Sequence, residues 1–254
     1  MYLAMRITAA LLGMLSVALI AGCGMLAPAP TTYDEIAATC PSDPSAEVVE
    51  RDGSSSRDDL VESDLAVIRD RAMRAAVCNG RLTVSTFSAD ATTDQVHFDG
   101  YLELEGATDI ARARHLDEVV DAAMTSITAD IEQTVTPAKG TDVVASLDQL
   151  VNVASQLPAD MSVTATILTD GLNTEGVSFK RALRRGELAR ELKSLAVPSF
   201  GSSVVSLTFV GVGDDVSGAL TAVQLRELRA AYVEIGERAG VDSVTVVTEY
   251  VSAW

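Results

Sequence analysis

The 254-residue chain predicts an α/β domain with a largely parallel sheet, over residues 45–254. Short β-rich runs alternate with longer stretches of helical periodicity, which is the mark of strands joined by crossover helices. The hydrophobic fraction is 48% beside a charged fraction of 22%, so the chain has enough apolar material for a packed core and is not a disordered polymer. No internal repeat is visible, which sets solenoid and propeller folds aside.

Residues 1–22 read as an export signal. Arg6 is followed by an apolar stretch over 7–20, with no acidic residue, and the stretch is short for a membrane span. The run Leu19-Ile20-Ala21-Gly22-Cys23 resembles the lipobox of bacterial lipoproteins, in which small residues precede a Cys that is lipidated and becomes the mature N-terminus. That resemblance implies a membrane partner reached through acyl chains on Cys23, and an extracytoplasmic location. The alternatives are an ordinary secretory signal ending in a chance Cys, or an uncleaved anchor. Residues 23–44 carry Pro28, Pro30, Pro41 and Pro44 and are expected to form an extended tether.

Six strands are predicted, over 47–51, 82–87, 95–105, 163–169, 204–210 and 244–248, most of them rich in Val, Thr and Phe. Gly100 interrupts the third and predicts a bulge or hairpin there, with that strand antiparallel at an edge. Between the strands, apolar residues recur at helical spacing: Val61, Leu65, Ile68, Ala72 and Ala75; Val120, Met124, Ile127 and Ile131; Val144, Leu147, Val151 and Ala154; Leu225, Leu228, Tyr232, Ile235 and Ala239. Each set is the buried stripe of an amphipathic helix.

Charge narrows the partners. With 36 Asp and Glu against 19 Lys and Arg, the net charge is −17, and only Lys139, Lys180 and Lys193 are lysines. Nucleic-acid binding needs clustered cations, so a phosphate-backbone partner is excluded in favour of cations or basic surfaces, or of simple solubility.

The residues richest in chemical content are oxygen ligands at strand ends. Asp52-Gly53-Ser54-Ser55-Ser56 leaves the first strand, Thr169-Asp170-Gly171 leaves the fourth, and Lys139-Gly140-Thr141-Asp142 opens a helix. Singly, each has an ordinary reading, since Ser, Thr and Asp cap helices and Asp-Gly makes turns. If the first and fourth strands are neighbours, Asp52 and Asp170 meet at the carboxyl edge of the sheet, where hard oxygen donors suit a divalent cation.

In order and together, Asp-x-Ser-x-Ser, Gly-Thr before a middle helix and Thr-Asp-Gly resemble the metal-ion-dependent adhesion site of von Willebrand factor A domains. Gly211-Val212-Gly213 and the closing helix-strand pair are similar to that family too. The resemblance implies a Rossmann-like three-layer sandwich with helices on both faces. Ser54, Ser56 and Thr141 would offer hydroxyls directly to one cation, and Asp52 and Asp170 would act largely through water. Mg²⁺ is the first expectation, with Mn²⁺ or Ca²⁺ as alternatives. The ligand implied is a protein or other macromolecule whose carboxylate completes the coordination sphere. The sequence departs from the family pattern at Glu50 and Arg51, where a central strand is apolar. Either the strand emerges into solvent there or the two charges neutralise each other.

Cys40 and Cys78 remain. In an oxidising compartment an isolated pair is most simply a disulfide, and neighbouring parallel strands would put both at the sheet edge remote from the metal. Zinc and redox motifs are absent, as are a Gly-x-Ser-x-Gly elbow and a phosphate loop, and His97 and His115 are expected as strand or surface residues. The leading expectation is therefore not an enzyme but a lipid-anchored binding module. A structural subunit of an envelope assembly with a vestigial metal site comes next, and a metal-dependent hydrolase after it.

Overall fold

The computed structural model describes residues 32–89, 95–134, 140–214 and 220–250. The export signal and residues 23–31 of the tether, Cys23 among them, lie outside them. The element order is α1 (Thr32–Ala37), β1 (Ser45–Asp52), a short 3-10 helix (Ser55–Leu60), α2 (Val61–Val77), β2 (Arg81–Phe87), β3 (Gln95–Tyr101), α3 (Asp109–Thr134), α4 (Val143–Gln156), β4 (Ser162–Leu168), α5 (Phe179–Arg185), α6 (Leu188–Ser194), β5 (Val204–Val210), α7 (Ala222–Arg238) and β6 (Ser243–Val247).

One sheet runs in the order β3-β2-β1-β4-β5-β6, parallel except for β3. The chain winds outward from β1 in one direction and from β4 in the other, so the doubly wound order reverses between these two strands. Their register aligns Arg51 with Leu168, which brings the residues following each strand to the same point on the carboxyl edge.

Two apolar layers hold the sheet between helices. On one face Val49, Leu82 and Val84 pack with Ile36 of α1, Val67, Ile68 and Ala72 of α2, and Leu116, Val120 and Ile127 of α3. On the other, Val48, Ala165, Ile167, Leu207 and Phe209 pack with Leu147 and Leu150 of α4, Phe179 and Leu183 of α5, Leu188 and Leu192 of α6, and Leu228 and Tyr232 of α7. The four helical stripes read from sequence fall on these layers except at Val61, Val144 and Leu225, the first residues of three of them, which are half-buried and belong to neither layer.

Several expectations are corrected in detail. The tether does not stay extended to residue 44: residues 32–37 form α1, whose Tyr33 and Ile36 are buried because the pair three apart covers the end of the α2–α3 layer. β3 ends at Tyr101 instead of 105, and the irregularity in the β2–β3 pairing lies at Val84/Ser85 of β2, not at Gly100, which pairs in register with Leu82. β3 is antiparallel and at the edge, as expected.

Glu50 and Arg51 do not emerge into solvent. All eight residues of β1 are buried, and adjacent strand residues point to opposite faces. Arg51 instead donates from Nε to Asp64 Oδ2 of α2 at 3.0 Å, and from Nη2 to the Arg57 carbonyl at 3.4 Å. Arg57 of the 3-10 helix pairs with Asp64 Oδ1. A buried carboxylate held between two guanidiniums thus replaces the apolar contact that a central strand usually makes there.

Cys40 and Cys78 form a disulfide, with Cα atoms 5.4 Å apart. The bridge joins the segments that enter β1 and β2, at the amino edge of the sheet and opposite the oxygen-rich loops.

Candidate metal centre

Three loops converge at the carboxyl edge where the winding reverses. Ser54, Ser55, Ser56, Gly140, Thr141, Asp170, Leu172, Thr174 and Lys180 line one cleft of about 190 Å³. Asp52 is fully buried beside them. The five residues expected from sequence are therefore brought to one place, although Thr141 is 89 residues from Asp52 in the chain.

Their hydrogen bonds separate the capping roles from the others. Asp142 is the N-cap of α4, accepting from the backbone N–H groups of Val144 and Ala145 at 3.1 Å each. Thr141 is thereby free of that duty, and its Oγ1 donates to the Asp52 carboxylate, 3.2 and 3.1 Å from the two oxygens. Ser54 precedes the 3-10 helix without a side-chain cap, and its hydroxyl lies 3.0 Å from that of Ser56. The carboxylates do make turns: Asp52 Oδ1 accepts from Ser54 N–H at 2.9 Å, and Asp170 Oδ1 from Leu172 N–H at 2.8 Å. The turn reading and the ligand reading thus coexist in the two Asp residues, while the hydroxyls of Ser54 and Thr141 are not spent on capping.

From sequence, the residues that brace these ligands have no separate role, Thr169 of the Thr-Asp-Gly motif among them. Thr169 Oγ1 donates to Asp52 Oδ2 at 2.9 Å and accepts from Gly171 N–H at 3.1 Å. Thr174 Oγ1 accepts from Thr141 N–H at 2.8 Å, and Asn173 Oδ1 from Val143 N–H at 2.8 Å, so the loop after β4 is stapled to the loop before α4. Asn and Thr in a loop that leaves a strand are side chains that bond nearby backbone, which was the available signal. Tyr232 of α7 donates to the Gly171 carbonyl at 3.0 Å. Gly171, at φ +76°, leaves room for that ring: a Cβ there would lie 2.8 Å from Tyr232 Cε2.

Burial, and after it the Asp170 charge, raise the Asp52 carboxyl against the lowering bonds from Ser54 and Thr169, and together they leave it at about 6. Two neighbouring carboxylates with hydroxyl oxygens around them form a hard, oxygen-only donor set, of the kind that Mg²⁺ takes. Because Thr141 donates its proton to Asp52, its lone pairs stay available to an ion. The residues present therefore fit a divalent cation. Among the described residues there is no cluster of three or more His, Cys, Asp or Glu side chains that would offer a competing site.

The doubly wound sheet with helices on both faces is the Rossmann-like sandwich that the resemblance to von Willebrand factor A domains implies. No protein-family model and no curated protein matches the chain. Similar solved structures include the ArnB paralog VWA2 of Sulfolobus acidocaldarius, 15% identical over 82% of this chain and 42% of that one, with a TM-score of 0.45. An aerotolerance-related membrane protein of Bacteroides fragilis is 16% identical over 80% of this chain and 90% of that one, at 0.42. Manganese-loaded TRAP protein of Plasmodium vivax is 16% identical over 74% and 63%, at 0.37. The chain spans less than half the length of the Sulfolobus protein. Likenesses this distant assign no residue a role.

The fold also places the two histidines. His115 is exposed. His97 is buried between Thr86 Oγ1, 2.7 Å from Nε2, and Asp130 Oδ2, 2.7 Å from Nδ1. Hydroxyl, imidazole and carboxylate stand in the order of a nucleophile relay, but Thr86 is only 4% exposed, so the chain of bonds ties β2 and β3 to α3 and offers no hydroxyl to a substrate. No helix among the described residues is long and apolar enough to cross a membrane.

Proposed function

We infer that the protein is a binding module, anchored outside the cytoplasm by lipid on Cys23, that engages a protein or other macromolecular ligand through a divalent cation. Ser54, Ser56 and Thr141 would hold the cation by their hydroxyls, and Asp52 and Asp170 largely through water. One observation carries this reading: oxygens from three distant segments line one cleft at the reversal of the sheet, and the hydroxyls of Ser54 and Thr141 serve no helix cap. A bound Mg²⁺ supplies an electrophilic centre that can accept a carboxylate from a partner. Asp52 and its three donors fix the floor of the cleft, Thr141 joins that floor to the α4 loop, and Asp170 is held at the rim by its own turn.

The test is calorimetry of the full chain in mild detergent, titrated with Mg²⁺, Mn²⁺ and Ca²⁺ beside the Asp52→Ala/Asp170→Ala variant. Saturable uptake by the parent and none by the variant is expected. Heat that is the same in both would overturn the metal reading and favour a permanent subunit of an envelope assembly. Lys180 in the cleft is the observation on the side of that second reading, because its ammonium already brings positive charge there. The anchor is tested separately: the parent should partition with membranes and Cys23→Ser should not.

A further inference from the structure

Four of the 19 Lys and Arg residues of this acidic chain, Lys180, Arg181, Arg184 and Arg185, fall in the seven residues of α5. Phe179, Ala182 and Leu183 fasten that helix to the core, which leaves the cations as two columns, Lys180 with Arg184 and Arg181 with Arg185, each four residues apart. Little of this charge serves the helix. Like charges at that spacing repel, α5 has no acid in its first turn, and Lys180 and Arg181 lie at the end where a cation is disfavoured. Only Arg184 and Arg185, in the last turn before the Gly186 cap, are placed as a helix prefers.

Nor are the arginines taken up by neighbours. Arg181, Arg184 and Arg185 are exposed and make no ion pair among the described residues. Arg181 and Arg185 line a cavity of about 150 Å³ with Ser178, Glu187 and Glu191. Both of those acids are paired with Arg190, at 3.0 Å each. Lys180, the residue before Arg181, lines the candidate metal cleft itself. A strip of exposed arginines thus begins one residue after Lys180 of the cleft and continues into this cavity, on a molecule whose net charge of −17 repels acidic partners elsewhere.

We propose that this strip is the second half of the ligand site and takes an acidic peptide segment, with one carboxylate directed to the cleft and its neighbours seated on Arg181 and Arg185. The proposal rests on the metal reading of the cleft. Guanidinium groups suit the part, because their forked donors match a carboxylate in two parallel bonds.

The test uses the full chain in detergent, a fluorescein-labelled hexa-aspartate peptide, and anisotropy in the presence of Mg²⁺. The parent should bind the peptide, and Arg181→Gln/Arg185→Gln should bind it about ten-fold or more weakly, through the loss of two charge-assisted contacts. Arg114→Gln/Arg226→Gln, which removes two exposed cations elsewhere, should bind as the parent does. Calorimetric Mg²⁺ uptake without peptide should be the same in the parent and in Arg181→Gln/Arg185→Gln. Equal peptide affinity in those two, or no peptide binding by the parent, overturns the proposal. Saturable binding of phosphatidylglycerol micelles without binding of the peptide overturns it in favour of a lipid surface. Failure of the metal reading is a distinct result: no Mg²⁺ heat in the parent, with peptide binding that EDTA leaves unchanged.

Discussion

Thr141 and Asp142 are adjacent residues with separable roles. Asp142 caps α4, and Thr141 reaches the Asp52 carboxylate. Asp142→Ala is expected to cost about 1 kcal/mol in stability through the lost cap and to leave cation uptake intact. Thr141→Val should do the reverse, weakening uptake at little cost in melting temperature; melts and metal titrations of the two variants check this together. Asp64 is a harsher test. Its carboxylate pairs with both Arg51 and Arg57, so Asp64→Ala would strip two buried guanidiniums of this partner and is expected to cost about 3–5 kcal/mol by urea unfolding. At this scale the site was largely legible, because its five residues sit at strand and helix ends where oxygen-bearing side chains stand out from apolar runs. Thr169 stood out only as part of its motif and Asn173 not at all, since a bracing side chain in a loop has no periodicity to announce it.

Among the elements, periodicity is legible in proportion to length. The stripes of α2, α3, α4 and α7 show because those helices have 14 or more residues, whereas α5 and α6 have seven each and complete fewer than two turns of pattern. α1 was hidden for another reason: its six residues lie among prolines, and only the tertiary contacts of Tyr33 and Ile36 make it a helix. The covalent tie at Cys40 follows directly after this weak element. Arg74 reinforces it, donating to the Thr39 carbonyl at 3.1 Å and the Thr39 hydroxyl at 2.8 Å. Replacing both cysteines by Ser releases a loop closed across 38 residues and is expected to cost about 3–4 kcal/mol. Proteolysis should then cut first near α1, ahead of the sheet, with the metal site retained in the trimmed product because it lies at the opposite edge. Cleavage beginning in the loop after β4 would contradict that division of the molecule.

At the scale of the whole molecule, the central strand carries charge through the core, and this couples folding to pH. Glu47 of β1 is buried, and burial raises its carboxyl to about 7, against the lowering effect of Arg71 and of Arg74, whose Nε donates to it at 3.0 Å. A carboxyl with a raised pKa holds its proton more tightly when the chain is folded. Its contribution to stability is therefore full below its unfolded value near 4.5 and is lost as pH rises through about 7. The unfolding free energy should fall between pH 5 and pH 8, with a contribution from Glu47 on the order of 2–3 kcal/mol. Self-repulsion of a chain at net −17 acts in the same direction as its remaining carboxyls ionise, so the fall alone does not identify the group. Glu47→Gln separates the two, because the amide is neutral throughout while the surface charge is untouched. Urea midpoints of the variant should change distinctly less across this range than those of the parent, and parallel curves would show that the pH dependence belongs to the surface and not to the buried strand.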